Sequence, residues 1–348
     1  MPILRHWFLI GLLMLVVLAL SVGGNLDQAG WGEAVRNASV FLIFLATGYS
    51  LDSRRILADI GVVHHHLGLQ LFIFGITPLI ILLPAALIGG RLTGPTVWVG
   101  LVGVAVLPTT ISSCIAFTQV AGGNVSLSML NSALSNAAGI LISPLLLSLL
   151  IGLSPEAGAG AGAVEAGTRF LGREATLSIF FDLASLMLAP AALGQAVRIL
   201  LLRRGVTSKK RGAEKPQDAP GAQWVRTFNS VLILLIVFLT LSSASADRGL
   251  LTTATSFLPI FGYLALVHLA VLAAAAVTAG LLMREKRDRV AFLFTGSQKT
   301  LAFGAPMLTL YFASNPGQLT GAMLPLIFYH LWQLVTAGVV ESFYRVKE

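Results

Sequence analysis

The stretch "FTGSQKTLAFGAP", Phe294 to Pro306, sets Lys299 inside a run that otherwise reads as membrane-buried. Apolar residues flank it from Val290 to Phe294 and from Leu301 to Phe312. A lysine at the centre of a spanning helix costs about 2.5–3.5 kcal/mol on insertion scales, so its presence asks for a function. The rest of the chain supports the membrane reading. Of 348 residues, 56% are hydrophobic and 11% charged, against about 25% charged in soluble domains. The mean hydropathy is +0.85. The formal net charge of +8 does not point to nucleic acid, because the basic residues lie in short segments between apolar runs and act there as topology signals. The single cysteine, Cys114, can form neither an internal disulfide nor a structural zinc site, which argues against redox chemistry.

A bilayer core of about 30 Å needs about 20 apolar residues in a helix. On that ruler the chain reads as an all-α polytopic membrane protein with ten transmembrane helices, at about 6–22, 34–50, 62–88, 96–118, 124–152, 175–202, 226–246, 255–283, 289–313 and 319–344. Met1 to Val22 reads as a retained first helix, with a signal peptide as the alternative. With the N-terminus inside, the inner segments carry Arg5, Arg54, Arg55, the basic run from Arg198 to Arg226, the cluster from Arg284 to Arg289, and Arg345 and Lys347. The outer segments carry only Arg36, Arg91, Arg169, Arg173 and Arg248. That asymmetry places both termini in the cytoplasm of a multi-pass protein of the plasma (inner) membrane.

The low-complexity segment "SPEAGAGAGAVEAGTRFLGRE", Ser154 to Glu174, follows the fifth run and reads as a flexible external linker. It divides the chain into a first repeat at 1–152, a Gly/Ala-rich linker at 153–174 and a second repeat at 175–348. Five is odd, so two related halves would have opposite orientations, the inverted-repeat plan of many secondary transporters. Such folds hold their sites where helices are broken at corresponding positions in the two halves. The fourth run contains "VLPTTISSCIAF", with Pro108 followed by Thr109, Thr110, Ser112 and Ser113. Proline removes a backbone donor, and the hydroxyls offer replacement oxygens. The ninth run, fourth of its half, contains Thr295, Gly296, Ser297, Gln298, Lys299 and Thr300. Two polar, helix-breaking patches at matched depth are expected to put half-helix ends and loose carbonyls around one cavity.

The segments "LPTTISSCIAFTQVAGGN", "FTGSQKTLAFGAPM" and "FYHLWQLVTAGVVESFYR" resemble the SBF-like branch of the bile acid:sodium symporter superfamily. The resemblance runs from "WFLIGLLM" through "HHHLGLQLFIFGITP" and "LAPAALGQAVR" to the C-terminus. It implies two inverted five-helix repeats arranged as core and panel domains, each drawn from both repeats, with helices four and nine unwound where they cross. It also implies two candidate sodium sites, one matched by Ser113, Cys114, Ser128 and Ser132 and a second by Gln298; Asn131 is a further candidate for substrate or ion binding. Cys114 stands where the relatives have asparagine. The relatives' glutamate falls near Phe294 or Thr295, so no carboxylate is present, and Lys299 follows Gln298.

Lys299 is therefore expected to substitute for a bound cation and to help hold an anionic solute. Desolvation disfavours the charged amine, so proton release during the cycle is the alternative. Sodium ion and proton are the candidate coupling ions, and no other cofactor is expected. Asp182, in "SIFFDLASL", is the candidate counter-ion. Gln70, Tyr329, His330 and Gln333 are candidate cavity residues. His64 to His66 read as interfacial, His268 as packed, and Trp7, Trp98 and Trp224 as interfacial anchors. The function expected is secondary active transport of a small organic, anionic solute by alternating access. The alternatives are a sodium-coupled symporter using hydroxyl ligands, a non-transporting membrane regulator of ion or lipid handling, and an intramembrane hydrolase with Ser297 as nucleophile and His330 as base. The partners expected are the solute and the lipid bilayer, with no nucleic acid.

Overall fold

The computed structural model describes residues 7–22, 31–50, 63–88, 94–151, 173–203, 222–245, 258–313 and 315–344. The linker 153–174 lies outside the described residues as far as residue 172, as do many of the basic residues used for orientation. Among the described residues all regular structure is helical. That is the expected solution where no water is present to satisfy the backbone, because a helix pairs its own N–H and C=O groups. The helices are α1 (Trp7–Val22), α2 (Trp31–Ser50), α3 (Val63–Ile88), α4 (Pro95–Ala105), α5 (Ser112–Val120), α6 (Val125–Ile151), α7 (Arg173–Arg203), α8 (Ala222–Ser245), α9 (Leu258–Leu282), α10 (Lys286–Ser297), α11 (Leu301–Tyr311) and α12 (Pro316–Tyr344). Each overlaps one of the apolar runs read from the sequence. Five are long and apolar enough to cross a membrane: α3, α6, Phe180–Leu201 of α7, α9 and Gln318–Tyr344 of α12. Shorter apolar stretches occur at Ile10–Ala19, Pro95–Ala105 and Thr227–Ser242.

The helices form two compact units. One holds α1, α2, α8, α7 from Asp182 onward and α11 from Ala305 onward. Within it α8 packs on both α1 and α2. Helices α2 and α7 meet backbone to backbone: a Cβ on Gly48 would lie 1.9 Å from the Ala191 carbonyl oxygen, and one on Gly194 would lie 2.0 Å from that of Leu45. Small residues at the crossing allow this approach, as is common between membrane helices. Arg198 then donates to the carbonyls of Tyr49 and Ser50 at the end of α2.

The other unit holds α3 to α6, α9, α10 and most of α12. Its hub is α10, which packs on α3, α5, α6 and α9. Every residue from Val290 to Ser297 is buried, so beyond its exposed first turn this short helix has no face left for lipid. Trp98 corrects an expectation from the sequence. It is 2% exposed and not an interfacial anchor, because the α4 backbone is drawn against α12 where Gly100 meets Ala322. The side chain of Trp7 lies outside the described residues, and Trp224 is exposed.

Candidate functional site

Three interruptions of the helical ladder meet in the second unit. The first lies in α3, which widens into a π turn at Phe72–Ile76. There the Thr77 N–H bonds to the Phe72 carbonyl, five residues back. The Ile73 carbonyl thus loses its α-helical partner. Its π-helical partner would be Pro78, which has no N–H. One buried acceptor is left over by this arithmetic alone.

The second interruption separates α4 from α5. Pro108 stops the ladder, and the segment from Val106 to Ile111 is irregular. The carbonyls from Ala105 to Thr110 are all accounted for. That of Val106 accepts from Ser143 Oγ at 2.7 Å, Pro108 from the Thr300 N–H at 3.1 Å, Thr109 from Asn136 Nδ2 at 2.8 Å, and Thr110 from Cys114 Sγ. Those of Ala105 and Leu107 accept from Lys299. Helix α6 reaches this segment because Gly139 has no Cβ, which would lie 2.9 Å from the Pro108 ring.

The third interruption separates α10 from α11, and no proline causes it. Gln298 is extended, at φ −94° and ψ 143°. In a continuing helix the Lys299 N–H would bond to Thr295 and the Thr300 N–H to Gly296. Instead the first goes to Gln333 Oε1 at 2.7 Å and the second to the Pro108 carbonyl. Tertiary partners unwind this helix.

Lys299 is 1% exposed. Its Nζ donates to the carbonyls of Ile73 at 2.8 Å, Ala105 at 3.1 Å and Leu107 at 2.8 Å. Three acceptor-only partners suit an ammonium with three protons. Hydrogen bonds to a charged group are worth about 1.5–3 kcal/mol each, so three outweigh an insertion cost of about 2.5–3.5 kcal/mol. The ammonium thus joins the π turn of α3 to the break after α4.

Beside this cage lies a hydroxyl cluster. Ser113 Oγ lies 2.6 Å and Thr110 Oγ1 3.1 Å from Gln298 Oε1, and the two hydroxyls are within hydrogen-bond reach of each other, so their two protons are shared among three contacts. Thr295 Oγ1 donates to Ser128 Oγ at 2.8 Å, and Ser128 in turn donates to Cys114 Sγ at 3.7 Å. Ser132 Oγ donates to the Ser128 carbonyl and lies 3.0 Å from Cys114 Sγ. Gln298 Nε2 and Thr109 Oγ1 are buried with no protein partner. Asn131 sits at one side, with Nδ2 on His66 Nδ1 at 2.9 Å and on the Leu127 carbonyl, while Gln70 Nε2 donates to the Asn131 carbonyl at 3.3 Å.

Residues 6–346 match the profile of the SBF-like CPA transporter family. The chain belongs to that family. This transporter is 30% identical over 344 residues to the uncharacterized protein PA2026 of Pseudomonas aeruginosa, covering 97% of this chain and 92% of that one. It is 26% identical over 346 residues to sodium/bile acid cotransporter 7 of Xenopus tropicalis, covering 97% and 90%. It is 25% identical over 341 residues to sodium/bile acid cotransporter 7 of Rattus norvegicus, covering 97% and 91%. The family is one of transporters, so the protein is a multi-pass membrane transporter and not an enzyme. Ser297 fits that conclusion, since its Oγ donates to the Leu293 carbonyl at 2.7 Å and is not directed at His330.

The hydrogen-bond partners of the transporter's Lys299 ammonium include none of the other candidate side chains. Ser112 is exposed. Asp182 is exposed and belongs to the other compact unit, and the three partners of the Lys299 ammonium are all backbone carbonyls. Of the three histidines, His64 is exposed, His65 is half-buried and His66 is buried on Asn131, as consecutive helix positions must diverge. Tyr329 pairs through its hydroxyl with His268 Nδ1 at 3.1 Å, while His268 Nε2 meets Thr336 Oγ1 at 2.8 Å. Sequence reasoning missed Ser135, Asn136 and Ser143, which serve the break after α4. With Ser128 and Ser132 they form a buried polar stripe at helical spacing on α6, a signal that the sequence does carry. It also missed the part played by Ile73 and Pro78.

Proposed function

We propose that this transporter moves a small organic anion by alternating access, and that Lys299 is a resident cation in place of a coupling ion. The observation that carries the reading is the cage: a buried ammonium held by backbone carbonyls from two other interrupted helices. The ten apolar runs then form two inverted five-helix repeats, 1–152 and 175–348, joined by the external linker 153–174. Helices four and nine of that plan are the broken pairs α4/α5 and α10/α11. A core and a panel domain would each draw on both repeats. The reading is supported by the composition of the two compact units, each of which takes helices from both halves of the chain. Both termini would face the cytoplasm at the plasma (inner) membrane.

Lys299 spends its three donors on carbonyls, so its service to an anionic solute is the charge it fixes, with direct contacts made by other groups. Gln298 Nε2 and the hydroxyls of Thr109, Thr110 and Ser113 are the groups proposed for those contacts. The hydroxyl cluster also supports a second reading, sodium-coupled symport through Ser113, Ser128, Ser132 and Gln298, because the fold brings these oxygens together. Uptake of labelled organic anions into proteoliposomes, with and without sodium and at two pH values, tests both. Saturable uptake independent of sodium is expected, and Lys299→Gln should abolish it. Uptake that requires sodium would favour the second reading. Saturable flux of no anion would favour a regulator, and wild-type uptake by the Lys299→Gln variant across pH 5 to 9 would sink the resident-cation idea.

A further inference from the structure

Gln333, on α12, pairs with the Lys299 peptide as an adjacent β-strand would. Its Oε1 accepts the Lys299 N–H at 2.7 Å, and its Nε2 donates to the Lys299 carbonyl at 2.7 Å. The backbone dictates the orientation of the amide, because an N–H only donates and a carbonyl only accepts. The second hydrogen of Nε2 is therefore directed at His330 Nδ1, 2.9 Å away and three residues earlier on the same helix. His330 must then accept at Nδ1, which leaves it neutral with its proton on Nε2. Gln333 is fully buried, and both of its polar atoms are spent in this arrangement.

The clamp competes with a helix. Were it released, the Lys299 N–H would be free to bond with the Thr295 carbonyl and extend α10. Each residue added to a helix turns the next side chain by about 100°, which would swing the ammonium out of register with the carbonyls of Ile73, Ala105 and Leu107. The stretch is also held by the Thr300 N–H bond to the Pro108 carbonyl at 3.1 Å. We propose that Gln333 is the positioning residue for the Lys299 ammonium, so that α12 sets whether the amine occupies its carbonyl cage. The proposal rests on the reading of Lys299 as the resident cation. Among the described residues, the titratable residues bonded to the Gln333 side chain are Lys299, through its peptide at the break after α10, and His330, through its ring on α12.

The test uses the full-length purified protein. Amide hydrogen exchange is resolved at Lys299 and Thr300, and reductive methylation of Lys299 is followed as an independent readout. Gln333→Leu removes the clamp, and exchange at Lys299 should rise about tenfold or more, with the amine opened to methylation. Gln333→Glu is conditional. As a neutral acid it offers one carbonyl and one O–H and can pair with the Lys299 peptide as the amide does. As a carboxylate it sets two acceptors against a carbonyl. Relative to wild type at the same pH, protection should therefore be near normal in acid and lost in alkali, within one folded sample. This arm keeps the test intact if the leucine variant fails to fold. Wild-type exchange and methylation in both variants at every pH would overturn the proposal, as would equal loss at both pH values in the glutamate variant. If the variants behave as expected while the wild-type protein carries no anion, the clamp stands and the transport reading fails.

Discussion

Gln298 and Lys299 are neighbours in one extended stretch, yet they enter regions of opposite chemistry. Lys299 enters a cage of carbonyls in which each proton has an acceptor. Gln298 enters a cluster of hydroxyls in which its oxygen shares the protons of Thr110 and Ser113 and its nitrogen has no protein partner. The first region is closed on itself and rigid, because any movement leaves a buried carbonyl or a buried charge unpaired. The second has hydrogens that can rotate and an amide with capacity to spare. The difference separates two tasks usually given to one site. On the proposed reading, the cage ties Lys299 to the π turn of α3 and the break after α4, and the hydroxyl cluster is the part that would meet a ligand.

The most severe way to break this division is to remove the cation. Lys299→Ala should lower solute uptake about a hundredfold or more, since three buried carbonyls lose their donor at once. Lys299→Arg should fare little better, because a planar guanidinium cannot direct three donors from one atom into a compact cage. The next effect is smaller and comes from a residue that never touches the ammonium. Pro78→Ala restores an N–H at position 78, gives the Ile73 carbonyl a helical partner and takes one acceptor from the cage. Uptake should fall about tenfold, the cost of one charge-assisted bond. Ser113→Ala sharpens the comparison from the other side. It should weaken apparent solute affinity by about threefold to tenfold while leaving the protection of Lys299 against methylation unchanged. Ser112→Ala, on an exposed position beside the same cluster, should change uptake less than about twofold. If Ser113→Ala exposed Lys299, or Ser112→Ala matched Ser113→Ala, the two regions would not be separable.

Much of this was legible in the chain before any coordinates. The apolar runs overlay the helices because helix boundaries in a membrane protein follow hydropathy and length. The break after α4 was readable from Pro108, because proline acts locally wherever it falls. The break after α10 was readable only as a polar patch. Its cause is Gln333, more than thirty residues further on, and Thr300 reaching back to Pro108. At Lys299 the sequence shows a base in an apolar run but not its acceptors, which are the backbone carbonyls of Ile73, Ala105 and Leu107. The stripe of Ser128, Ser132, Ser135, Asn136 and Ser143 was present at helical spacing, and its meaning lay in which carbonyls it faced.

By itself the chain determined that the protein lives in a bilayer, that it is helical, and that a lysine sits where a lysine is costly. Those properties depend on composition and near neighbours, which a linear string carries in full. Only the tertiary structure decided what receives the ammonium. Backbone carbonyls are the same in every residue type, so a cage made of them leaves no letter in the sequence and exists only once three interrupted helices are brought together.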